Sequence, residues 1–172
     1  WQKQEIIIDN DDAEKLPYYT EINVGHEWRD AEIAGFAFIN RITSDGQNPF
    51  KTGTTRMVKT NETGGSEVSY QPTLSKEGTY AVYVSYPTHH KSIPDAQYIV
   101  VHKGRKTEFR VNQQMGGGTW VYLGTFDFGK GCTSDNRIIV TNKSSHKGVV
   151  TTDAVRLGGG MGNVARQGST SG

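Results

Sequence analysis

The sequence of 172 residues contains one cysteine, Cys132, so an internal disulfide and a cysteine-rich metal site are both excluded. It also lacks any apolar run that approaches the roughly 20 residues of a membrane-spanning helix. Neither sign of charge is in large excess: the sequence has 19 Lys and Arg residues and 18 Asp and Glu residues, for a formal net charge of +1. Lys and Arg are scattered, whereas a nucleic-acid-binding domain usually carries a basic face or run. We therefore expect neither a membrane span nor a nucleic-acid partner.

Motifs of the common catalytic sites are absent as well. There is no Gly-x-Ser-x-Gly turn to present a nucleophilic serine. The glycine run at 158–162 lacks the Lys-Ser/Thr pair and the following helix of a phosphate-binding loop. None of the five histidines is spaced like the ligand pair of a zinc-binding helix. Asp and Glu are numerous enough for a glycosidase pair, but nothing in the sequence brings two of them together. We expect no catalytic residue in this chain.

Glycine and short strand-like runs are what the sequence does contain. Glycine provides 21 of the 172 residues, about 12%, against the usual ~7%. Runs rich in Val, Ile, Thr, Tyr and Phe recur between clusters of Gly, Asn, Asp, Ser and Pro, and stretches with helical periodicity are almost missing. This pattern predicts an all-β sandwich or barrel.

The clearest predicted strand is Thr79–Tyr86. Side chains alternate between the two faces of a strand, so the even positions, from Tyr80 to Tyr86, are predicted to point inward and Tyr83 to lie on the other face. Pro87 then ends the strand, because proline cannot donate to a sheet ladder.

Further strands follow from the same reasoning. Two of the connections are predicted to be hairpins: a two-residue turn at Gly104-Arg105 with glycine first, and a longer turn at 61–65. The other predicted strands are Glu5–Ile8, Thr55–Thr60, Ser66–Tyr70, Gln97–Lys103, Lys106–Asn112, Thr119–Phe128, Asn136–Thr141 and Gly148–Leu157.

We expect one domain over residues 1–160. No internal repeat and no second core is evident, and the glycines at 158–160 and 162 mark the predicted end of the packed fold. Residues 161–172 have the composition of a flexible tail. The chain starts abruptly at Trp1 and ends in Gly, Ser and Thr, so we expect both ends to be cut from a longer protein.

The densest acidic group is 9–12, with the sequence Asp-Asn-Asp-Asp. Oxygen ligands at this spacing suit calcium, so Asp9 and Asp11 are candidate ligands. The same residue types also favour turns by bonding their own backbone. Calcium is the one cofactor for which the sequence offers candidates, and both interpretations stay open.

Aromatic and polar side chains provide the candidate ligand-binding residues. Flat rings can stack on sugar rings, and amide and guanidinium groups can hydrogen-bond hydroxyls, although Trp and Tyr in β-sandwiches also pack in cores. The candidate residues are Tyr83, Trp120, Tyr122, Arg110, Gln113 and Gln114.

Asp153 falls on the apolar face of the last predicted strand. A carboxylate there must be paired or hydrogen-bonded, so we expect it to bond backbone amides or a neighbouring Arg or Lys. Its predicted role is structural.

Five segments, taken in order, resemble one known family. The sequence is similar to the golvesin / xanthan-lyase carbohydrate-binding-like domain over about residues 66–157, and Ile8–Asp11 resembles the opening strand of that family. The segments that carry the resemblance are Gly78–Pro87, Asp95–His102, Val111–Gln114, Gly118–Phe126 and Asp153–Leu157.

The resemblance implies a jelly-roll-like β-sandwich of antiparallel strands. In that family the module accompanies bacterial extracellular enzymes, and the tail at 158–166 resembles versions from Bacteroides-type bacteria, in proteins named xanthan lyase or cell-wall amidase. Residues 28–53 depart from the simpler pattern of the family and are predicted to be an insertion. Trp120 and Asp153 match motif positions, but the resemblance supplies no ligand site.

The functional expectation is a non-catalytic module that holds a polysaccharide, or the glycan of peptidoglycan, near a parent catalytic domain. The protein would then be secreted, periplasmic or on the cell surface. Two alternatives remain: a structural module that packs on its parent catalytic domain and binds no sugar, and a part of a polysaccharide (xanthan) lyase.

Overall fold

The computed structural model describes residues 5–9, 19–33, 55–131, 133–158 and 164–166, and the secondary structure in these ranges is strands and turns. The same ranges hold no helix long and apolar enough to cross a membrane. The strands are β1 (Glu5–Asp9), β2 (Tyr19–Ile22), β3 (Arg29–Asp30), β4 (Arg56–Lys59), β5 (Glu67–Tyr70), β6 (Gly78–Ser85), β7 (Ala96–His102), β8 (Arg105–Val111), β9 (Trp120–Phe128), β10 (Asn136–Thr141), β11 (Val149–Thr152), β12 (Ala154–Gly158) and β13 (Val164–Arg166).

The strands form three sheets. The first sheet has the order β1-β12-β6-β9-β13, the second β2-β5-β10-β7-β8, and the small third sheet β11-β4-β3. Neighbouring strands are antiparallel, except that β13 runs parallel to β9. The all-β sandwich fold predicted from the sequence is confirmed.

The main core contains apolar side chains from all three sheets. In β6 the even positions, including Val82 and Val84, are fully buried in it, whereas Tyr83 belongs to a separate small cluster with Trp120 and Ala154. The alternation predicted for this strand is therefore confirmed. Burial of Val and Leu side chains at about 1.5–3 kcal/mol each is the main contribution to the stability of such a core.

A β-bulge in β9 decides which aromatic side chains enter the core. The register with β6 pairs Tyr83 with Tyr122 but Val82 with Gly124, so Leu123 is the extra residue. Trp120 and Tyr122 occupy the outer face, yet Phe128, also an even position, lies in the main core. A bulge reverses the facing of every residue after it, which explains why one strand supplies aromatic rings to both faces.

The β7–β8 hairpin turns one residue earlier than predicted. Lys103 and Gly104 are the two turn residues, with φ of 50° and 81°, and Arg105 already pairs with His102. Two positive φ values define the turn type whose twist matches the right-handed twist of the strands. The prediction of Gly104-Arg105 as the turn is therefore wrong.

Replacing Gly104 with Ala should lower the free energy of unfolding by about 1 kcal/mol, because a side chain is disfavoured at positive φ. The nearest atom to an added Cβ is Asp135 Oδ1 at 3.6 Å, so the cost is conformational rather than steric. Urea unfolding monitored by fluorescence measures it, with exposed Lys106→Ala on β8 as the control. Equal stability of G104A and the unsubstituted domain would contradict this account.

The second predicted hairpin is wrong, because β4 and β5 belong to different sheets. Asn142 follows β10 and lies between their ends. Its side-chain amide donates to the Lys59 carbonyl at 2.8 Å and accepts from the Ser66 N–H at 3.2 Å. Asn61 also donates its N–H to the Asn142 carbonyl at 2.9 Å. These bonds separate the two strands, so the chain crosses from the third sheet to the second.

The last predicted strand is also divided between two sheets, at Asp153. Residues before it form β11 in the third sheet, and residues after it form β12 in the first. Asp153 is buried; its N–H donates to the Ser85 carbonyl at 3.0 Å, and its Oδ2 accepts from the Ser85 hydroxyl at 3.2 Å. The structural role predicted for Asp153 agrees with this position at the crossing, where Ser85 is one of its partners.

The packed fold extends beyond its predicted end. Residues Val164–Arg166 form β13, which pairs with β9 from Trp120 to Tyr122. The flexible tail predicted from residue 161 is therefore wrong for these three residues. Within the predicted insertion at 28–53, Arg29–Asp30 forms β3 and pairs with β4; residues 34–54 lie outside the described ranges.

Candidate functional site

The three candidate aromatic residues share the outer face of the first sheet. The rings of Tyr83 and Tyr122 lie 5.5 Å apart between centroids. The Arg156 guanidinium lies over the Tyr83 ring at 4.8 Å and at 6.0 Å from the Trp120 ring centroid. Strand pairing places Arg156 and Tyr122 on either side of Tyr83. The structure therefore brings the three rings together, as a sugar-stacking platform would require.

This aromatic group is buried rather than open. Tyr83 is 0% and Trp120 5% exposed, and burial raises the pKa of the Tyr83 hydroxyl. Tyr122 is half-buried, and its hydroxyl is 2.6 Å from the Thr125 hydroxyl. Ligand contact needs accessible surface that Tyr83 does not have, so that prediction is corrected for Tyr83. For Trp120 the burial favours the packing interpretation.

Arg110 lies on β8 of the second sheet, away from the aromatic rings. Its Nε donates to Glu108 at 2.8 Å, and its Nη1 donates to the carbonyl oxygens of Asp95 at 3.2 Å and Lys143 at 3.1 Å. These bonds tie the edge strand to the loop after β10. The structure does not bring Arg110 to the aromatic platform.

The two candidate glutamines have opposite environments. Gln113 is 0% exposed. Its side-chain amide donates to the Thr151 carbonyl and accepts from the Thr151 N–H. A ligand cannot reach it, so the binding role predicted for Gln113 is corrected to a structural one. Gln114 is exposed, and its Nε2 donates to the Ser92 carbonyl at 3.2 Å. It lines the open groove that is described below.

The calcium prediction stays untested. Asp9, at the end of β1, pairs through its backbone with Ala154 of β12. Asp11 lies outside the described residues. Among the residues that the structure describes, no group of three or more His, Cys, Asp and Glu is placed to hold a metal ion. Cys132 is also outside the described ranges.

One concave feature is an open groove of about 940 Å³, which we call the basic groove. It lies beside the third sheet, between β4, the start of β11 and the loop after β6. Its described lining residues are His26, Arg29, Met57, Val58, Lys59, Thr60, His89, His90, Lys91, Ser92, Gln114, Lys147, Gly148 and Val149.

One wall of the basic groove is held tightly against β11. The Val149 N–H donates to the Lys91 carbonyl at 2.9 Å, and Ser92 forms a parallel bridge with Val149. A Cβ at Gly148 would overlap that same carbonyl oxygen, so only glycine permits the approach. The loop that carries Lys91 and Ser92 therefore bonds to the edge of β11 opposite β4, as a neighbouring strand would.

The same loop is closed on itself as a compact turn. The Ser92 N–H donates to the His89 carbonyl at 2.9 Å, and the His89 N–H donates to the Ser92 hydroxyl at 2.9 Å. The Lys91 N–H donates to His89 Nδ1 at 3.0 Å. The rings of His89 and His90 stack at 4.3 Å. Burial, His90 and Lys91 lower the pKa of His89, so at neutral pH His89 is mainly an uncharged donor and acceptor.

Lys147 is presented by a second fixed loop. Thr60 holds this loop from both sides: its hydroxyl donates to the His146 carbonyl at 2.7 Å and accepts from the Gly148 N–H at 3.2 Å. Its own N–H donates to the Gly148 carbonyl at 3.0 Å. The backbone beneath Lys147 is therefore ordered before any ligand arrives.

The charge of the basic groove has one sign. Its described lining holds four permanent cations, Arg29, Lys59, Lys91 and Lys147, together with three histidines and no Asp or Glu. The nearby acids Glu27 and Asp30 are not among the lining residues. Such a concave positive surface attracts anions over several ångströms.

Sequence reasoning missed this site for a clear reason. Its cations come from four chain segments that are far apart in sequence, near residues 29, 59, 91 and 147, and each is isolated among uncharged neighbours or balanced by an acid. A local signal in the sequence is the adjacent pair His89-His90, which does not by itself predict a cationic groove. Strand pairing in the third sheet brings three of the segments together, and the backbone contacts of Lys91 and Ser92 with Val149 add the fourth.

Comparison with known proteins begins with a family model. The model described as the Golvesin C-terminal domain matches residues 37–159. This match starts inside the segment that the sequence predicts to be an insertion. A curated relative, the xanthan lyase of Bacillus sp. (strain GL1), is 34% identical over 96 residues, which is 55% of this chain and 10% of that protein.

Solved structures are similar over nearly the whole chain. The xanthan lyase of Paenibacillus aligns with a TM-score of 0.64 and 25% identity, over 90% of this chain and 13% of that one. The chain therefore spans about a tenth of the length of the xanthan lyases that it matches.

Two smaller modules match at lower identity. The C-terminal CBM6 of LamC from Zobellia galactanivorans aligns with a TM-score of 0.51 and 13% identity, over 91% of this chain and all of that one. A family 35 carbohydrate binding module from Clostridium thermocellum aligns with a TM-score of 0.51 and 14% identity, over 90% of this chain and 98% of that one. At sequence identities this low, the structural similarity shows the fold alone.

Proposed function

The chain belongs to the Golvesin C-terminal domain family, and from that premise we propose that it is a non-catalytic carbohydrate-binding module of a larger, secreted polysaccharide- or cell-wall-degrading enzyme. The observation that carries the proposal is the basic groove, an open concavity on a sandwich fold shared with carbohydrate-binding modules. The small share of the xanthan lyases that the chain matches supports a parent catalytic domain elsewhere in the protein.

The groove has the mixed character that sugar binding uses. Stacked imidazole rings of His89 and His90 offer flat faces, and Thr60, Ser92 and Gln114 offer hydroxyl and amide groups beside them. Ligand sites in proteins typically combine such apolar surface with a few fixed polar groups. Its wall and floor are held by backbone hydrogen bonds, so little ordering opposes binding.

We expect the isolated domain to bind at least one polysaccharide without cleaving it. Affinity electrophoresis against a panel that includes xanthan, xylan, β-glucan, polygalacturonate and peptidoglycan measures binding, and reducing-end and unsaturated-product assays measure turnover. Retarded migration with no product is the expected result. Product release by the purified domain would contradict a non-catalytic role, and a domain that is folded by circular dichroism but binds nothing would contradict sugar binding.

A second candidate function is packing on the parent catalytic domain. Ile22 and Val24 are 44% and 55% exposed at the end of the edge strand β2. Exposed apolar side chains at an unpaired sheet edge favour contact with another protein surface. Absence of glycan binding across the panel, together with association of the domain with its parent catalytic domain, would support this candidate.

A further inference from the structure

We propose that the ligand of the basic groove is an acidic polysaccharide, whose sugar carboxylates are bound by Arg29, Lys59, Lys91 and Lys147. The inference rests on the proposed carbohydrate-binding function and specifies the chemical class of the sugar. Sugar carboxylates would form charge-assisted hydrogen bonds with these cations, which are stronger than the bonds that the hydroxyl groups of a neutral glycan accept.

Within the described part of the chain, no ion pair occupies the cations of the groove. Other Lys and Arg side chains in the described ranges do form ion pairs, among them Arg56–Glu21, Lys103–Glu77 and Arg110–Glu108. None of the four groove cations forms an ion pair there. Like charges gathered on one concave surface repel each other, so an anionic partner relieves a cost that the free domain carries.

The distribution of the cations over several elements around the groove suits a polymer rather than a single small anion. They come from β3, β4, the loop after β6 and the loop before β11, so they are distributed around a cavity of about 940 Å³. A chain with one carboxylate on successive sugars can contact several of them at once. Lys is a point charge with three donors and does not require one fixed geometry.

Nucleic acid is the other polyanion that such a surface could bind. Nucleic-acid sites combine a basic surface with aromatic side chains that stack on bases. The described lining contains imidazole rings but no Trp, Tyr or Phe. Together with the family assignment, this favours a sugar acid, and the nucleic-acid alternative is an arm of the test.

The experiment compares two polymers that share a backbone. Polygalacturonate carries a carboxylate on each sugar, whereas highly methyl-esterified polygalacturonate has most of them masked. Isothermal titration calorimetry of the domain should give a dissociation constant at least tenfold smaller for the acidic polymer. Raising the salt from 50 to 500 mM should weaken binding, because exposed charge pairs are screened.

A triple variant locates the site. Lys59, Lys91 and Lys147 are exposed, so the K59Q/K91Q/K147Q variant should fold, and we expect about tenfold weaker binding of polygalacturonate from three lost surface ion pairs. The matched control removes the same charge elsewhere: Lys76, Lys106 and Lys130 are exposed and outside the groove. The K76Q/K106Q/K130Q variant should bind like the unsubstituted domain.

The outcomes separate the inference from the proposed function. Equal binding of both polymers, or equal loss in both triple variants, would overturn the acidic ligand while leaving carbohydrate binding in place. Tighter binding of single-stranded DNA than of polygalacturonate would also overturn it. Binding of no polysaccharide at all, with both variants and the unsubstituted domain folded, would overturn both proposals.

Discussion

Replacing Trp120 with Ala is expected to lower the free energy of unfolding by about 3–5 kcal/mol, the range for a buried Trp or Phe truncated to Ala. Trp120 is 5% exposed, packs with Tyr83 and Ala154, and begins the strand that pairs with both β6 and β13. The free energy of unfolding of a domain is about 5–15 kcal/mol. The loss is therefore a large part of the total and is readily measured by urea unfolding at low temperature.

Met115 supplies the matched control for this measurement. It is also apolar and large but is 59% exposed, so Met115→Ala should change the free energy of unfolding by no more than about 0.5 kcal/mol. A loss below about 1 kcal/mol in the Trp120→Ala variant would contradict the packing role.

The Trp120→Phe variant distinguishes a packing role of the Trp120 side chain from a role in ligand contact. It keeps an aromatic ring, so the domain should remain folded, and we expect its affinity for whichever polysaccharide the domain binds to be unchanged. A clear loss of affinity in this folded variant would restore the sugar-stacking role that the sequence predicts for Trp120.

Replacing Gln113 with Leu is expected to lower the free energy of unfolding by about 3 kcal/mol, although the two side chains are similar in size. The Gln113 amide accepts from the Thr151 N–H at 2.9 Å and donates to the Thr151 carbonyl at 2.7 Å and to the Tyr98 hydroxyl at 2.9 Å. A buried polar group left without its partner costs about 1–3 kcal/mol. Leucine leaves the N–H and the carbonyl of Thr151 without this partner.

The geometry explains why this one side chain matters. By bonding both the N–H and the carbonyl of the same residue, Gln113 pairs with β11 as a neighbouring strand would. The Gln113 N–H also donates to the Ile93 carbonyl at 3.0 Å, which joins this pairing to the loop that forms the groove wall. We therefore expect Gln113→Leu to weaken glycan binding as well as stability.

Gln114 is the control for this variant. It is adjacent in sequence but exposed, with one side-chain bond to the Ser92 carbonyl. Gln114→Ala should change the free energy of unfolding by about 0.5 kcal/mol or less, in the same urea titration. Similar losses in both variants would show that Gln113 has no special structural role.

The sequence alone determined the fold class and most strand positions. Alternation of apolar and polar residues is a local property, and β10 at Asn136–Thr141 and the inward face of β6 follow directly from it. The ordered motifs also led to the correct family. The pairing partners of the strands were harder to predict, because a local pattern does not say which strands pair. The sequence predicts a hairpin of β4 and β5, but Asn142 from a distant segment separates these two strands.

The tertiary structure alone decided which of the candidate residues are accessible. Burial of the outer face placed Tyr83 and Trp120 out of reach, and this burial has no signature in residue spacing. Lysines that are scattered in the sequence line one groove because strand pairing joins β4 to β11, whose paired residues are 90 to 96 positions apart. Charge acts through space rather than along the chain, so a net charge of +1 coexists with a groove lined by cations.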